Sequence, residues 1–127
     1  MSKKEALMKE FKDCVDNLDE VLKQPKNEII RDSAIKRFEL AADMAWKTVK
    51  EVLATDFGVA VNSPKPAFRE AFKQGLVEYE DDWIKLVDTR NETVHTYKEE
   101  LAEKIYNELP KILELLQKLL NKLYQNN

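Results

Sequence analysis

A chain of 127 residues, 43 % hydrophobic and 35 % charged, is the size of one domain and long enough to bury roughly two-thirds of its unfolded surface. Two glycines and four prolines, set against many Leu, Lys, Glu and Ala residues, indicate an all-α fold in a single domain, residues 1–127. The net charge of −3 excludes a global pull towards nucleic acid or an anionic membrane, so any RNA contact must come from a local patch.

The opening "MSKKEALMKEFKD" carries charges throughout and lacks the apolar run of a signal peptide. The first expected helix runs from about Lys3 to Lys23, with Ser2 and Glu5 at capping-box spacing. Leu7, Phe11, Cys14, Val15, Leu18 and Leu22 recur on one face. Cys14 is the only cysteine, reads as a small core residue, and rules out an intrachain disulfide; this suits a reducing cytoplasm. "QPKN" breaks the helix, and a second runs from about Glu28 to Ala54. Its stripe is Ile30, Ala34, Phe38, Ala41, Ala42, Ala45, Val49 and Val52, with Trp46 beside it as a core residue. Gly58 is its left-handed stop.

Ser63 and Pro64 then open a short third helix that reaches Lys73, and Gly75 closes it. A fourth helix runs from about Tyr79 to Val94 with Trp83, Ile84, Leu86 and Val87 inward. Glu78, Glu80, Asp81 and Asp82 suit the positive end of its dipole, which is a simpler reading of that cluster than a metal site. Thr96 and Glu99 form a second capping-box pair, so the fifth helix should start just after His95. Leu101, Ile105, Leu109, Ile112, Leu116, Leu119 and Leu123 are its seam, long enough for a partner helix to share, and Pro110 should kink it. No run approaches the roughly 18 apolar residues of a membrane span. Four long helices and one short one read as a bundle.

"RNETVHTY" lies at the junction of the last two helices and holds the only histidine. The chain reversal gathers Arg90, His95 and Tyr97 at one end of the bundle. A guanidinium offers a planar, permanently charged fork that fits a phosphate, and an imidazole exchanges a proton near neutral pH. Together they suit phosphodiester cleavage by a neighbouring 2′-hydroxyl. One histidine cannot hold both proton roles at once, and a symmetric dimer would supply a second. Asn91 is placed to orient the phosphate or the imidazole. The competing reading is structural, because a helix dipole alone favours Arg and His at a C terminus. Asp43 is either a flank residue or a partly buried acid that pairs with Arg90. Lys65, Arg69 and Lys73 recur every four residues on helix three, as an RNA-tracking stripe or a solvated face. One His and one Cys supply no zinc-ligand set.

The R-x4-H-x-Y form of Arg90, His95 and Tyr97 resembles the signature of the HEPN (higher eukaryotes and prokaryotes nucleotide-binding) superfamily. "RFELAADMAWKTVKEVL" and "SPKPAFREAFKQGLVEYEDDWIKLVDTRNETVHTY" resemble its nucleotidyltransferase substrate-binding subfamily, and the likeness covers about Asn27 to Leu123. Lys98 departs from the acidic residue common after the tyrosine. The resemblance implies an up-and-down four-helix bundle with one additional short helix, which forms a homodimer. It implies a metal-independent ribonuclease toxin that needs no cofactor. Arg90 and His95 would then be catalytic, while Asn91 and Asp43 as supporting residues and Lys65, Arg69 and Lys73 as an RNA-binding stripe rest on their positions in the chain. A minimal nucleotidyltransferase (MNT) encoded nearby would act as antitoxin by adding AMP to Tyr97. The same subfamily also implies an alternative, a non-catalytic substrate-binding subunit of a two-chain nucleotidyltransferase. This chain lacks the Gly-Ser loop and D-x-D aspartates that nucleotidyl transfer needs, so it does not perform that transfer alone.

Overall fold

The computed structural model describes residues 1–126. It contains α1 (Lys3–Leu22), α2 (Glu28–Phe57), α3 (Pro64–Lys73), α4 (Glu80–Glu92), a 3-10 turn (Thr93–His95) and α5 (Glu99–Gln125). The fold is all-α, with no strand among the described residues. Among the described residues, no helix is long and apolar enough to cross a membrane.

Local signals explain most boundaries. Ser2 Oγ accepts from the Glu5 N–H at 3.1 Å and donates to the Glu5 carboxylate, which secures the start of α1. Asn27 caps α2 by accepting from the Ile30 N–H at 2.8 Å. Gly58 terminates α2 at φ 66°, where its N–H reaches the Leu53 carbonyl. The helix therefore extends past the expected Ala54 to Phe57. Pro64 starts α3 as expected, although the Ser63 side chain makes no capping bond.

α2 packs against each of the other four helices. Its buried Ala34, Ala41, Ala42 and Ala45 present little bulk there, which lets neighbouring backbones approach closely. Phe11 and Leu18 of α1, Phe38 and Val49 of α2, and Leu109 and Leu116 of α5 are fully enclosed. Each such side chain contributes about 1.5–3 kcal/mol of burial. α3 packs on α2 and α4, and Phe68 stacks on Trp83 with ring centroids 4.7 Å apart. The α5 seam is covered within the chain from Ile105 to Leu123, with Leu101 half-buried, so this seam needs no partner helix.

The other departures have local causes. On α1 the buried positions are Met8 and Val21 rather than their neighbours Leu7 and Leu22, a small rotation of the stripe. Cys14, Ile30, Ile84 and Trp46 are half-buried rather than core. α4 begins at Glu80, behind Tyr79 in the left-handed region at φ 57°. It stops at Glu92, where the chain tightens into the 3-10 turn.

The expected Thr96–Glu99 capping box does not form. Thr96 Oγ1 instead donates to the Thr93 carbonyl at 2.9 Å, and α5 begins only at Glu99. Glu99 pairs with Arg31, which is 4 % exposed. Arg31 also reaches Glu103 at 3.3 Å and Asp32 at 3.0 Å, and Lys26 pairs with Glu103. This cluster pins the start of α5 to the start of α2. It holds the Glu103 carboxyl below its ordinary range, first through the Lys26 hydrogen bond and then through Arg31. α5 continues through Pro110, which has no N–H for the Tyr106 carbonyl.

Candidate active site

Arg90 sits in the last turn of α4. Its Nε donates to Asp43 Oδ1 at 3.0 Å and its Nη2 to Asp43 Oδ2 at 3.1 Å. This two-pronged pair decides the open question at Asp43 in favour of the partly buried acid that pairs with Arg90. Arg90 Nη1 donates to Thr93 Oγ1 at 3.0 Å, and that hydroxyl donates back to the Arg90 carbonyl at 2.7 Å. Glu39, one turn before Asp43, lies 3.9 Å from Nη1. The Asp43 hydrogen bonds raise the Arg90 pKa against the opposing effect of burial, so the cation is permanent. Three of the five guanidinium N–H donors are engaged in hydrogen bonds, and Nη1 also faces the Glu39 carboxylate.

Sequence reasoning missed Thr93 and Glu39. The i,i+4 spacing of Glu39 and Asp43 on one face of α2 was a readable signal for an arginine across the interface. Thr93 had none, because its role depends on the 3-10 turn.

His95 ends that turn and is exposed. Tyr97 Oη lies 3.5 Å from His95 Nδ1, a long hydrogen bond whose donor depends on the imidazole tautomer. The rings meet edge to face, with centroids 6.0 Å apart at 82°. Tyr97 is 77 % exposed and lies in the turn before α5, rather than opening that helix as expected. The junction thus has two parts. Arg90 is clasped by Asp43 and Thr93, while His95 and Tyr97 form a separate exposed pair. Asn91 is exposed beside Arg90 and lines a cavity with it.

On α3, Lys65 pairs with Asp88 at 2.6 Å, tying α3 to α4 two residues before Arg90. Lys73 lies 3.9 Å from Glu70, and Arg69 is exposed. Two of the three stripe cations therefore already face carboxylates. Among the described residues no group of three or more His, Cys, Asp or Glu is placed to hold a metal ion.

The all-helical bundle that gathers Arg90, His95 and Tyr97 at one end has a HEPN-like fold. The chain belongs to the nucleotidyltransferase substrate binding protein like family, which matches residues 6–125. It is 33 % identical over 101 residues to the probable ribonuclease HepT of Haemophilus influenzae, covering 74 % of this chain and 67 % of that protein. A crystal structure from Thermus thermophilus is similar with a TM-score of 0.85 and 32 % identity, over 89 % of this chain and 98 % of that one. The tri-AMPylated Shewanella oneidensis HEPN toxin, solved in complex with MNT antitoxin, superposes with a TM-score of 0.78 over 98 % of this chain and 99 % of its own. At 16 % identity that likeness shows the shared fold.

Proposed function

We propose that this chain is a metal-independent HEPN ribonuclease, a toxin silenced when a minimal nucleotidyltransferase adds AMP to Tyr97. The observation that carries the reading is the clasped Arg90, a permanent cation, followed after one 3-10 turn by exposed His95 and Tyr97. The relative named as a probable ribonuclease supports it, and so does the fold shared with a HEPN toxin solved with its MNT antitoxin.

In this reading His95 takes the proton of an RNA 2′-hydroxyl. The 2′-oxygen attacks the adjacent phosphorus, and the 5′-oxygen leaves with a proton from the His95 of a second copy. The products are a 2′,3′-cyclic phosphate and a 5′-hydroxyl. The Arg90 guanidinium stabilises the charge that builds on the equatorial oxygens. Lys65, Arg69 and Lys73 extend the RNA path, once Lys65 exchanges Asp88 for a backbone phosphate.

Silencing follows from the 3.5 Å Tyr97–His95 contact. Tyr97 Oη attacks the α-phosphorus of ATP and pyrophosphate leaves. The AMP then places a negative charge and a nucleoside beside His95, which excludes RNA by charge and bulk. The unpaired Cys14 suits a cytoplasmic site of action for one domain working as a homodimer.

The test is incubation of the purified protein with tRNA and total RNA in EDTA, beside His95→Ala. Cleavage by the wild type alone, leaving cyclic phosphate ends, is the expected result. Cleavage by His95→Ala, or none from protein shown by mass to carry no AMP, would refute the reading. A second reading, a substrate-binding subunit without catalysis, draws on the family's description and on the three Arg90 donors already committed to Asp43 and Thr93. Under it, Arg90 variants lose nucleotide or partner binding rather than cleavage.

A further inference from the structure

Beside Arg90 lies a cavity of about 170 Å³ between α2, α3 and α4. Trp46, Pro64, Phe68 and Val94 supply its apolar walls, and Asp43, Arg90 and Asn91 line its polar side. A dry cavity of about 150 Å³ is enough for a benzene ring, so this one admits a single planar ring. Phe68 is already stacked on Trp83, which is 2 % exposed. Trp46 is different. It sits next to the buried alanine stripe of α2 yet is half-buried and borders the cavity. Lys50, one turn further along α2, holds its ammonium 5.9 Å from the centre of the Trp46 ring. Lys50 covers one face of the ring and is not part of the cavity wall, so a base would stack on the other face, as bases stack on aromatic side chains in single-stranded nucleic-acid sites.

We infer that this cavity is a pocket for one nucleobase next to the phosphate held by Arg90, with Trp46 as its stacking platform and Asn91 reading its edge. Asn91 offers a carbonyl acceptor and an amide donor side by side, which matches a base edge that presents both. Arg90 lines the cavity as well as belonging to the junction, so base and phosphate sites are contiguous. The inference relies on the ribonuclease reading for the fate of the phosphate and does not need it for binding.

The experiment uses His95→Ala, which holds RNA without cutting it. Tryptophan emission is followed during titration with the four nucleoside 5′-monophosphates and with a short single-stranded RNA. The expected result is saturable quenching that disappears in Trp46→Phe/His95→Ala, where buried Trp83 is the remaining reporter. Trp46→Ala/His95→Ala, checked for an unchanged helical signal, should bind the RNA about 5- to 150-fold more weakly, the range for losing one base–aromatic stack. Asn91→Ala/His95→Ala should quench with all four monophosphates but rank them less sharply. Quenching that survives Trp46→Phe overturns the inference. So does the absence of nucleotide quenching with emission that tracks protein concentration, which would assign the cavity to a second copy of the chain. Quenching in His95→Ala, together with no RNA cleavage by wild type shown by mass to carry no AMP, upholds the pocket and removes the ribonuclease reading.

Discussion

Replacing Asp43 by Asn keeps the size of the side chain and removes its charge. The clasp on Arg90 consists of two charge-assisted hydrogen bonds, at 3.0 and 3.1 Å. Asn offers one acceptor and turns an N–H towards a group that only donates. The Asp43 side chain is 39 % exposed and that of Arg90 26 %, so solvent screening brings the loss well below that of a fully buried pair. We expect about 1–2 kcal/mol, which for a chain of this length lowers Tm by about 3–10 °C. Under the proposed ribonuclease reading, a guanidinium loosened by an ångström should cost cleavage about 10- to 100-fold, expressed in kcat, while KM moves little. The decisive comparison is a double-mutant cycle with Arg90→Ala, scored by RNA cleavage and by thermal melting. Once Arg90 is gone, Asp43→Asn should cost almost nothing further. Fully additive losses, or wild-type kcat in Asp43→Asn, would show that the clasp positions nothing.

Pro110 is exposed and leaves α5 without one backbone donor; Pro110→Ala should raise stability by about 1–3 kcal/mol, read as a higher urea midpoint. The depressed Glu103 carboxyl contributes stability that is fully present above its ordinary value near 4.5 and is lost as pH falls through its lower folded value. Urea midpoints for wild type should therefore fall more steeply below that pH than those of Glu103→Gln, and parallel curves would contradict the pairing. Burial first, then Asp13 and Glu10, push the Cys14 thiol up. Iodoacetamide should accordingly modify Cys14 several-fold more slowly in the folded chain than in urea, and equal rates would place the thiol in solvent.

Helix existence was readable because period and punctuation agree along most of this chain. Gly58 and Pro64 each act through their own backbone chemistry, so their positions mark the structure within a residue or two. The start of α5 misled for a physical reason. Thr96 and Glu99 have capping-box spacing, but the Thr93 carbonyl takes the Thr96 hydroxyl and Arg31, 68 residues away, takes Glu99. Tertiary competition of that kind leaves no local trace. Trp46 misled similarly, since helical period places it by the core and only the packing of α3 leaves a hollow at its ring. At the site, the Arg90, His95 and Tyr97 spacing was plain and the Asp43 partnership was one of two open readings. Thr93 was invisible until the chain was seen to tighten after Glu92.

The clamp from Arg31 and Lys26 to Glu99 and Glu103 also sets an order of events during synthesis. The turn bearing His95 and Tyr97 is held from one side by α4 and from the other by α5, and α5 takes its place only when its 27 residues can lie along α1 and α2. At about 5–20 residues per second, translating that helix occupies roughly 1–5 seconds. Throughout that interval α1 and α2 can already pair as a local hairpin, while the junction has no second anchor. A growing chain thus passes through a stage in which Asp43 can already clasp Arg90 while the turn bearing His95 and Tyr97 still lacks its α5 anchor.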